Sequence, residues 1–301
     1  MKSHPLWAMF LGFAAALRCL PSTPAPPTPE EQTAVIQATR SAALSFSDHL
    51  PNFICTQITR RWVNQGPVTS NLDLPQARYG RQPAKTLHLE GAGDWKLRDT
   101  LTIQLTYFGQ KEQYKLLLVN GRETKQSYES VEGTTHYGDF GSILGLLFQS
   151  SSQAKFNWHH WGSLNGQPVM VFSFAVDAEH SQWRIGYGTQ EVVAALKGLA
   201  FIEPTQPAVL KLIVNANDIP AKFPIQRSGL ELDYRMQTVG DHEFLLPLKA
   251  VDWTDTKNLF TKNEAEFRRY RRFSTESKID FDTPAPLPEG QIKDGAPNNN
   301  P

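Results

Sequence analysis

His159 and His160 stand side by side between Trp158 and Trp161, and a histidine pair is the first place to look for a metal. Neighbours in a strand point to opposite faces, however, which sets the two imidazoles apart. No His or carboxylate at useful spacing completes the three or four ligands that a metal site needs. The pair is therefore expected to be structural. Cys55 follows Phe53 and Ile54, an apolar setting in which a thiol behaves as a small hydrophobe, whereas a reactive thiol needs an electropositive, partly exposed one. Serine, histidine and aspartate all occur, but no serine sits in Gly-x-Ser-x-Gly, and neither a phosphate-cradling glycine loop nor a dinucleotide fingerprint is present. The residues thus predict no catalytic centre, no metal and no cofactor. A hydrolase ranks third among the functional readings, because nothing brings acid, base and nucleophile together.

Two groups could bind without reacting. In Arg268-Arg269-Tyr270-Arg271-Arg272, strand alternation places Arg269 and Arg271 on one face with Phe267 and Phe273, and Arg268 and Arg272 on the other with Tyr270. Interleaved arginines and aromatics can hold phosphates or stack bases. Glu264 and Glu266 lie close by, and a solvated, paired face is the ordinary outcome for such a run. Trp158 and Trp161 could stack a sugar, although large aromatics in strands usually belong to the core.

The elements that must position these residues are mostly strands. One helix precedes them: Thr28 offers an N-cap oxygen, Pro29 fits the first helical position, and Glu31 completes a capping box. Val35, Ala38, Ala42 and Phe46 then form an apolar stripe that ends before Leu50 and Pro51. Strands are expected from residue 53 onward. Residues 100–108 and 113–119 make a hairpin around Gly109, Asn120-Gly121 turns the chain as a type I′ pair, and Asn165-Gly166 joins 156–164 to 168–176. Segments 183–187, 192–196, 199–202 and 209–214 continue the meander. Leu230, Leu232, Tyr234 and Met236 alternate with Glu231, Asp233, Arg235 and Gln237, as in a strand wet on one side, and 244–253 and 264–273 close the series.

One element interrupts the strands. Residues 139–148, with Asp139 as cap, make a short helix in which Ile143, Leu144, Leu146, Leu147 and Phe148 are apolar nearly all round, so protein or ligand must cover it. About ten antiparallel strands cannot remain open and flat. The fold class expected is α+β, mostly β: one large curved antiparallel sheet, a half-barrel, with the amphipathic leading helix and the short apolar helix on its concave side. Phe46, Ile143, Leu144, Leu147 and Phe148 are then the candidate lid and lining of a cavity that takes an apolar ligand.

The ends of the chain carry its address. Lys2, the uncharged run 6–17 and the prolines that follow build a secretory signal, expected over 1–20, with a Pro-rich spacer at 21–29. An exported, periplasmic or secreted protein follows. Cys19 could be an acylated first residue, but Arg18 stands where lipoprotein cleavage wants a small side chain, so ordinary processing is expected. No run reaches the roughly 20 apolar residues of a membrane-spanning helix. Residues 30–283 are expected to form a single domain, 64–85 a long loop and 284–301 a disordered tail. Lys+Arg and Asp+Glu are both 30, so no bulk field recruits nucleic acid. With 40% hydrophobic residues and 17 Phe the chain can build a large core, and with Cys55 the one cysteine of the expected mature chain, packing must supply its stability. Nothing in the sequence fixes an oligomeric state.

Several segments resemble a family of uncharacterised secreted bacterial proteins: His49-Leu50-Pro51-Asn52-Phe53-Ile54-Cys55-Thr56-Gln57, Asp218-Ile219-Pro220-Ala221-Lys222-Phe223-Pro224-Ile225, Glu243-Phe244-Leu245-Leu246-Pro247 and Asn263-Glu264-Ala265-Glu266-Phe267-Arg268. The similarity runs from about residue 49 to 281 and implies no catalytic residues. The strand series with its leading helix also resembles the periplasmic lipoprotein-carrier folds, in which a curved sheet wraps an apolar cavity. That resemblance implies a carrier whose partner is a lipid or an acylated protein. The rival expectation is an envelope scaffold whose concave face is simply filled.

Overall fold

The computed structural model of the chain describes residues 25–65, 68–70, 89–91, 94–257, 259–273 and 294–295. The expected signal with Cys19, the start of the spacer, most of the 64–85 loop and nearly all of the 284–301 tail lie outside the described residues.

Helix α1 (Pro29–His49) begins as its sequence dictates: the Thr28 hydroxyl accepts from the Glu31 amide at 3.2 Å, and Glu31 accepts from the Thr28 amide at 2.7 Å. Its buried face differs from the expected stripe. Ala38 and Ala42 are exposed, while Ile36, Thr39, Ala43 and Phe46 face inward beside Val35. The small Thr39 and Ala43 let the helix approach the sheet, and the larger side chains flank them. Replacing Thr28 with alanine should cost about 1 kcal/mol, read as a shift of the urea midpoint.

The strands are β1 (Phe53–Asn64), β2 (Val68–Ser70), β3 (Leu89–Gly91), β4 (Lys96–Phe108), β5 (Lys111–Val119), β6 (Arg122–Glu123), β7 (Lys155–Leu164), β8 (Gln167–Val176), β9 (Arg184–Tyr187), β10 (Gln190–Val193), β11 (Ala195–Ile202), β12 (Val209–Asn217), β13 (Ile225–Val239), β14 (His242–Thr256), β15 (Phe260–Arg272) and β16 (Asp294–Gly295). Helix α2 (Ser142–Phe148) lies between β6 and β7. Twelve strands form one antiparallel sheet in the order β16-β7-β8-β11-β12-β13-β14-β15-β1-β4-β5-β6, which is curved but not closed. β2 with β3, and β9 with β10, make two separate ribbons. The expected turns are present: Gly109 and Gln110, Asn120 and Gly121, and Asn165 and Gly166 all take positive φ between 50° and 79°. Within the segment expected to be a disordered tail, Asp294–Gly295 pairs with β7.

Four strand expectations are corrected. Residues 195–202 are one continuous strand, not two, because Gly198 passes where a Cβ would lie 2.4 Å from the Phe174 ring. The polar side of β13 is not wet at its centre: Glu231 and Asp233 are 5% and 2% exposed, covering the fully buried Lys211 of β12. Bulges overturn two face assignments. The register shifts between Trp158 and His160, so the His159 and His160 rings meet with centroids 4.7 Å apart instead of pointing apart. Arg269, at φ 53°, bulges opposite β1, so that Phe267 and Tyr270 share the inner face.

The connection from β6 to β7 decides what fills the sheet. It leaves one edge and returns at the opposite one, so residues 124–154 must cross the sheet, and they do so on its concave side. α1 spans the same side. The Ala25 carbonyl just ahead of it accepts from the Trp161 indole of β7 at 2.9 Å, and Asp48 near its far end accepts from Gln110 in the β4–β5 turn at 2.9 Å.

Candidate functional site: an apolar concavity closed by a helix and a polar latch

The concave face has two halves. Toward one end of the central strands the inward side chains are apolar: Phe53 and Cys55 of β1, Leu105 and Tyr107 of β4, Phe267 of β15. Farther along the same strands they are polar: Gln57, Thr59 and Arg61 of β1, Asp252 of β14, Asn263 of β15. The crossing connector matches each half in turn. Residues 131–139 lie over the polar half, and Phe140 and α2 cover the apolar half together with α1.

All five candidate site residues meet in the apolar half. Ile143, Leu144, Leu147 and Phe148 are 4%, 3%, 1% and 0% exposed, and Phe46 packs against the same cluster. Phe148 stacks on Phe156 of β7 at 5.2 Å, and Phe46 meets Tyr234 of β13 edge-on at 6.0 Å. Two hydroxyls here are fully buried without a hydrogen-bond partner, Tyr234 Oη and Thr39 Oγ1. Cys55 is 1% exposed, and burial raises its thiol pKa, with Glu112 and Asp139 adding to the shift. It sits in the core, where burial disfavours the thiolate that a nucleophile needs.

The short helix starts later than expected. Its N-cap is Gly141, in the left-handed region at φ 115°, and Asp139 is instead a partner of His136, whose Nε2 lies 3.0 Å from Asp139 Oδ1. Asp139 belongs to a latch that fixes the connector. Glu112 of β5 accepts from the Gly138 amide at 3.1 Å and the Phe140 amide at 2.9 Å, and it also meets the Tyr114 hydroxyl. Asn263 donates to the Thr134 carbonyl at 3.1 Å and to Asp252 at 2.9 Å. Arg61, held by Asp99 through two 2.6 Å bonds, donates to the Glu132 carbonyl. The space enclosed between Gln57, His136, Asp139 and Asp252 is about 10 Å³, room for one water-sized occupant. Sequence reading missed this cluster. His136 and Asp139 show the right spacing, but Glu112, Asp252 and Asn263 reach them only through the sheet.

The latch sets the chemistry that the site can do. Burial pulls the His136 pKa down, but Asp139, with Asp252 and Glu112 behind it, overrides this and raises it from 6.5 to about 9. Burial pushes Asp252 up from 3.8 to about 6. A histidine that holds its proton at neutral pH is a poor general base. It serves as a counter-ion to the acids around it. Both shifts give the folded state the extra proton, in the pH ranges 6.5–9 and 3.8–6 respectively, so stability falls as pH rises through either range. The melting temperature should drop between pH 6.5 and 9, by at most about 3 kcal/mol in stability, and His136→Gln should flatten that slope. An equal slope in the variant would remove His136 as its source.

The other sequence candidates do not join this site. His159 and His160 sit on the outer strand β7, where burial lowers both pKa values, His160 to about 4 with help from His159. No cluster of three or more His, Cys, Asp or Glu is placed to hold a metal among the described residues. Arg268 is buried against Glu266, which also binds Arg60 at 2.7 Å, so this arginine is paired with an acid but is not on the solvated face expected of it.

No family model matches the chain, and no curated protein does. Among solved structures it is similar to a LolA superfamily protein from Nitrosomonas europaea, with 7% identity and a TM-score of 0.37 over 80% of this chain and 93% of that one. It is similar also to a domain from Vibrio parahaemolyticus described as an outer membrane lipoprotein-sorting protein, with 12% identity and a TM-score of 0.33 over 82% of this chain and 95% of that one.

Proposed function

We propose that the protein is an exported, non-catalytic carrier that takes an acyl chain, free or attached to a protein, into the concavity beneath α2. The observation that supports this most is the way the apolar half is closed. Beside α1, its cover is a seven-residue helix within a connector. Gly145 within that helix lowers its intrinsic stability by about 1 kcal/mol, and so short a helix is marginal in isolation. It stays in place through tertiary contact and through the polar latch on its N-terminal side. The unpartnered Tyr234 and Thr39 hydroxyls lie in the layer that α1 and α2 cover, and burying them unpaired is costly. A carbonyl at the head of an acyl chain would relieve that cost. Displacement of α2 exposes Ile143, Leu144, Leu147 and Phe148 together with the sheet residues beneath them, which supplies lining for a chain of methylenes.

Titration of the purified mature protein with a fluorescent fatty acid, together with native mass spectrometry of the protein as isolated, tests the reading. A saturable signal, or a co-purifying lipid mass, is expected. Absence of both would sink it. Export is tested separately by fusing residues 1–30 to a reporter that folds only outside the cytoplasm. A signal confined to the cytoplasm would remove the periplasmic setting.

The scaffold reading has its own support in the near-complete burial of the lid residues. It predicts that α2 never leaves the core.

A further inference from the structure

We propose that the free edge of β5 is a docking site for an extended acidic segment of a partner polypeptide, which adds to the sheet as a further strand. β5 pairs with β4 along its length, whereas β6 pairs only with Leu118 and Val119 on the other side. The Thr124 amide bonds the Leu117 carbonyl at 3.2 Å, and from there the chain leaves the edge. Among the described residues no strand pairs with the outer edge of 111–116.

The hairpin fixes which groups face outward. Gly109 and Gln110, both left-handed, make a two-residue turn, so the flanking Phe108 of β4 and Lys111 of β5 form a hydrogen-bonded pair with each other. Alternation along an antiparallel ladder then turns the amides and carbonyls of Glu112 and Tyr114 away from β4. Residues 111–114 of this strand also line an open cleft of about 820 Å³, whose other walls include Tyr107 of β4 and Glu129, Tyr137, Phe140 and Ser142 of the connector. An edge with unmet backbone groups is a ready template for strand addition, a recurrent way of binding peptides.

Charge selects the occupant. Lys111, Gln113 and Lys115 alternate with the inward Glu112 and Tyr114, so they share the outer face, and all three are exposed. Among the described residues neither lysine has an acidic partner within salt-bridge distance. Like charges directly opposite one another destabilise a strand pair, which disfavours a second copy of this edge, while acidic side chains at alternate positions of an incoming strand meet these lysines favourably. Lysines that only guarded the edge would need no cleft beside it. The ring of Tyr137, 44% exposed, offers an apolar surface to the intervening side chains of such a strand. This inference stands apart from the acyl-carrier reading.

The test uses the full chain and a fluorescein-labelled octapeptide of alternating valine and glutamate, followed by anisotropy and by amide hydrogen exchange. Saturable binding is expected, with slowed exchange at the Glu112 and Tyr114 amides. The exposed double variant Lys111→Glu, Lys115→Glu should keep its urea midpoint and lose about tenfold or more in affinity. The same peptide N-methylated at alternate residues should not bind. Equal binding of an alternating valine–lysine peptide, retained binding by the N-methylated peptide, or unchanged exchange at the two amides would each overturn the proposal. So would a dimer in sedimentation that already protects those amides without peptide.

Discussion

Replacing Lys211 with methionine is expected to destabilise the protein by about 3–5 kcal/mol, although the two side chains match in length. Lys211 is fully buried, with Nζ 2.6 Å from Glu231 Oε1 and 3.6 Å from Asp233 Oδ1. Leu212, Leu232 and Tyr234 belong to the concave core, so by alternation these three charges lie on the opposite, convex face, where Ile213 and Phe201 form a second apolar cluster. Removing the ammonium would strand two carboxylates in a dry setting between adjacent central strands, and desolvation of an unpaired charge is what makes such a loss large. The triple variant Lys211→Met, Glu231→Leu, Asp233→Leu should recover most of the stability, since an apolar replacement of a whole buried ion cluster is often neutral. Urea denaturation of both variants measures this. A loss under about 1 kcal/mol in the single variant would mean that water reaches the cluster.

What could be read from the sequence was what depends on residues close in sequence. Thr28 and Glu31 specify their capping box within one helical turn, and Asn120-Gly121 and Asn165-Gly166 carry the left-handed φ values that their turns demand. The apolar circumference of Ile143, Leu144, Leu146, Leu147 and Phe148 announced a buried helix, and all of these side chains are buried except Leu146, which is half-buried. What could not be read depends on a partner strand. A bulge is set by the register of two strands, so nothing near His159 or Arg269 in sequence revealed that the side chains around them would change faces. Glu231 and Asp233 read as solvent-facing because Lys211, their counter-ion, stands on another strand. The latch was hidden for the same reason. Asp139 has the composition of a helix cap, and only the sheet shows that His136 claims it while Glu112, 26 and 28 residues before Gly138 and Phe140, holds the backbone.

Leu147→Ser is expected to release α2 while leaving the sheet folded, and it separates a carrier from a scaffold. Leu147 is 1% exposed within the main core cluster, so truncating it and adding a hydroxyl removes about 2–5 kcal/mol of packing. The question is which equilibrium bears the loss. α2 has seven residues, one of them Gly145, and its helix follows a left-handed Gly141 without a side-chain cap. The sheet beneath it is tied by long ladders, β13 with β14 and β1 with both β4 and β15. Local opening of a weakly held unit can therefore take up the loss before the sheet does. On the carrier reading, amide exchange in 142–148 should accelerate while the central strands keep their protection, and the urea midpoint should move little. Affinity for a fluorescent fatty acid should fall, because the lid contributes buried area to the ligand. Cooperative loss of strand protection with a global drop of about 2–5 kcal/mol, in a protein whose parent form takes up no acyl probe, would show that α2 is a permanent part of a filled core. The latch gives an independent handle on the same motion. Glu112→Gln replaces a carboxylate that accepts from the Gly138 and Phe140 amides with a weaker neutral acceptor, so it should loosen α2 without touching an apolar contact. Faster exchange in 142–148 for both variants would tie the polar latch and the apolar lid to one opening step, whereas an effect of Leu147→Ser alone would confine the moving unit to α2 itself.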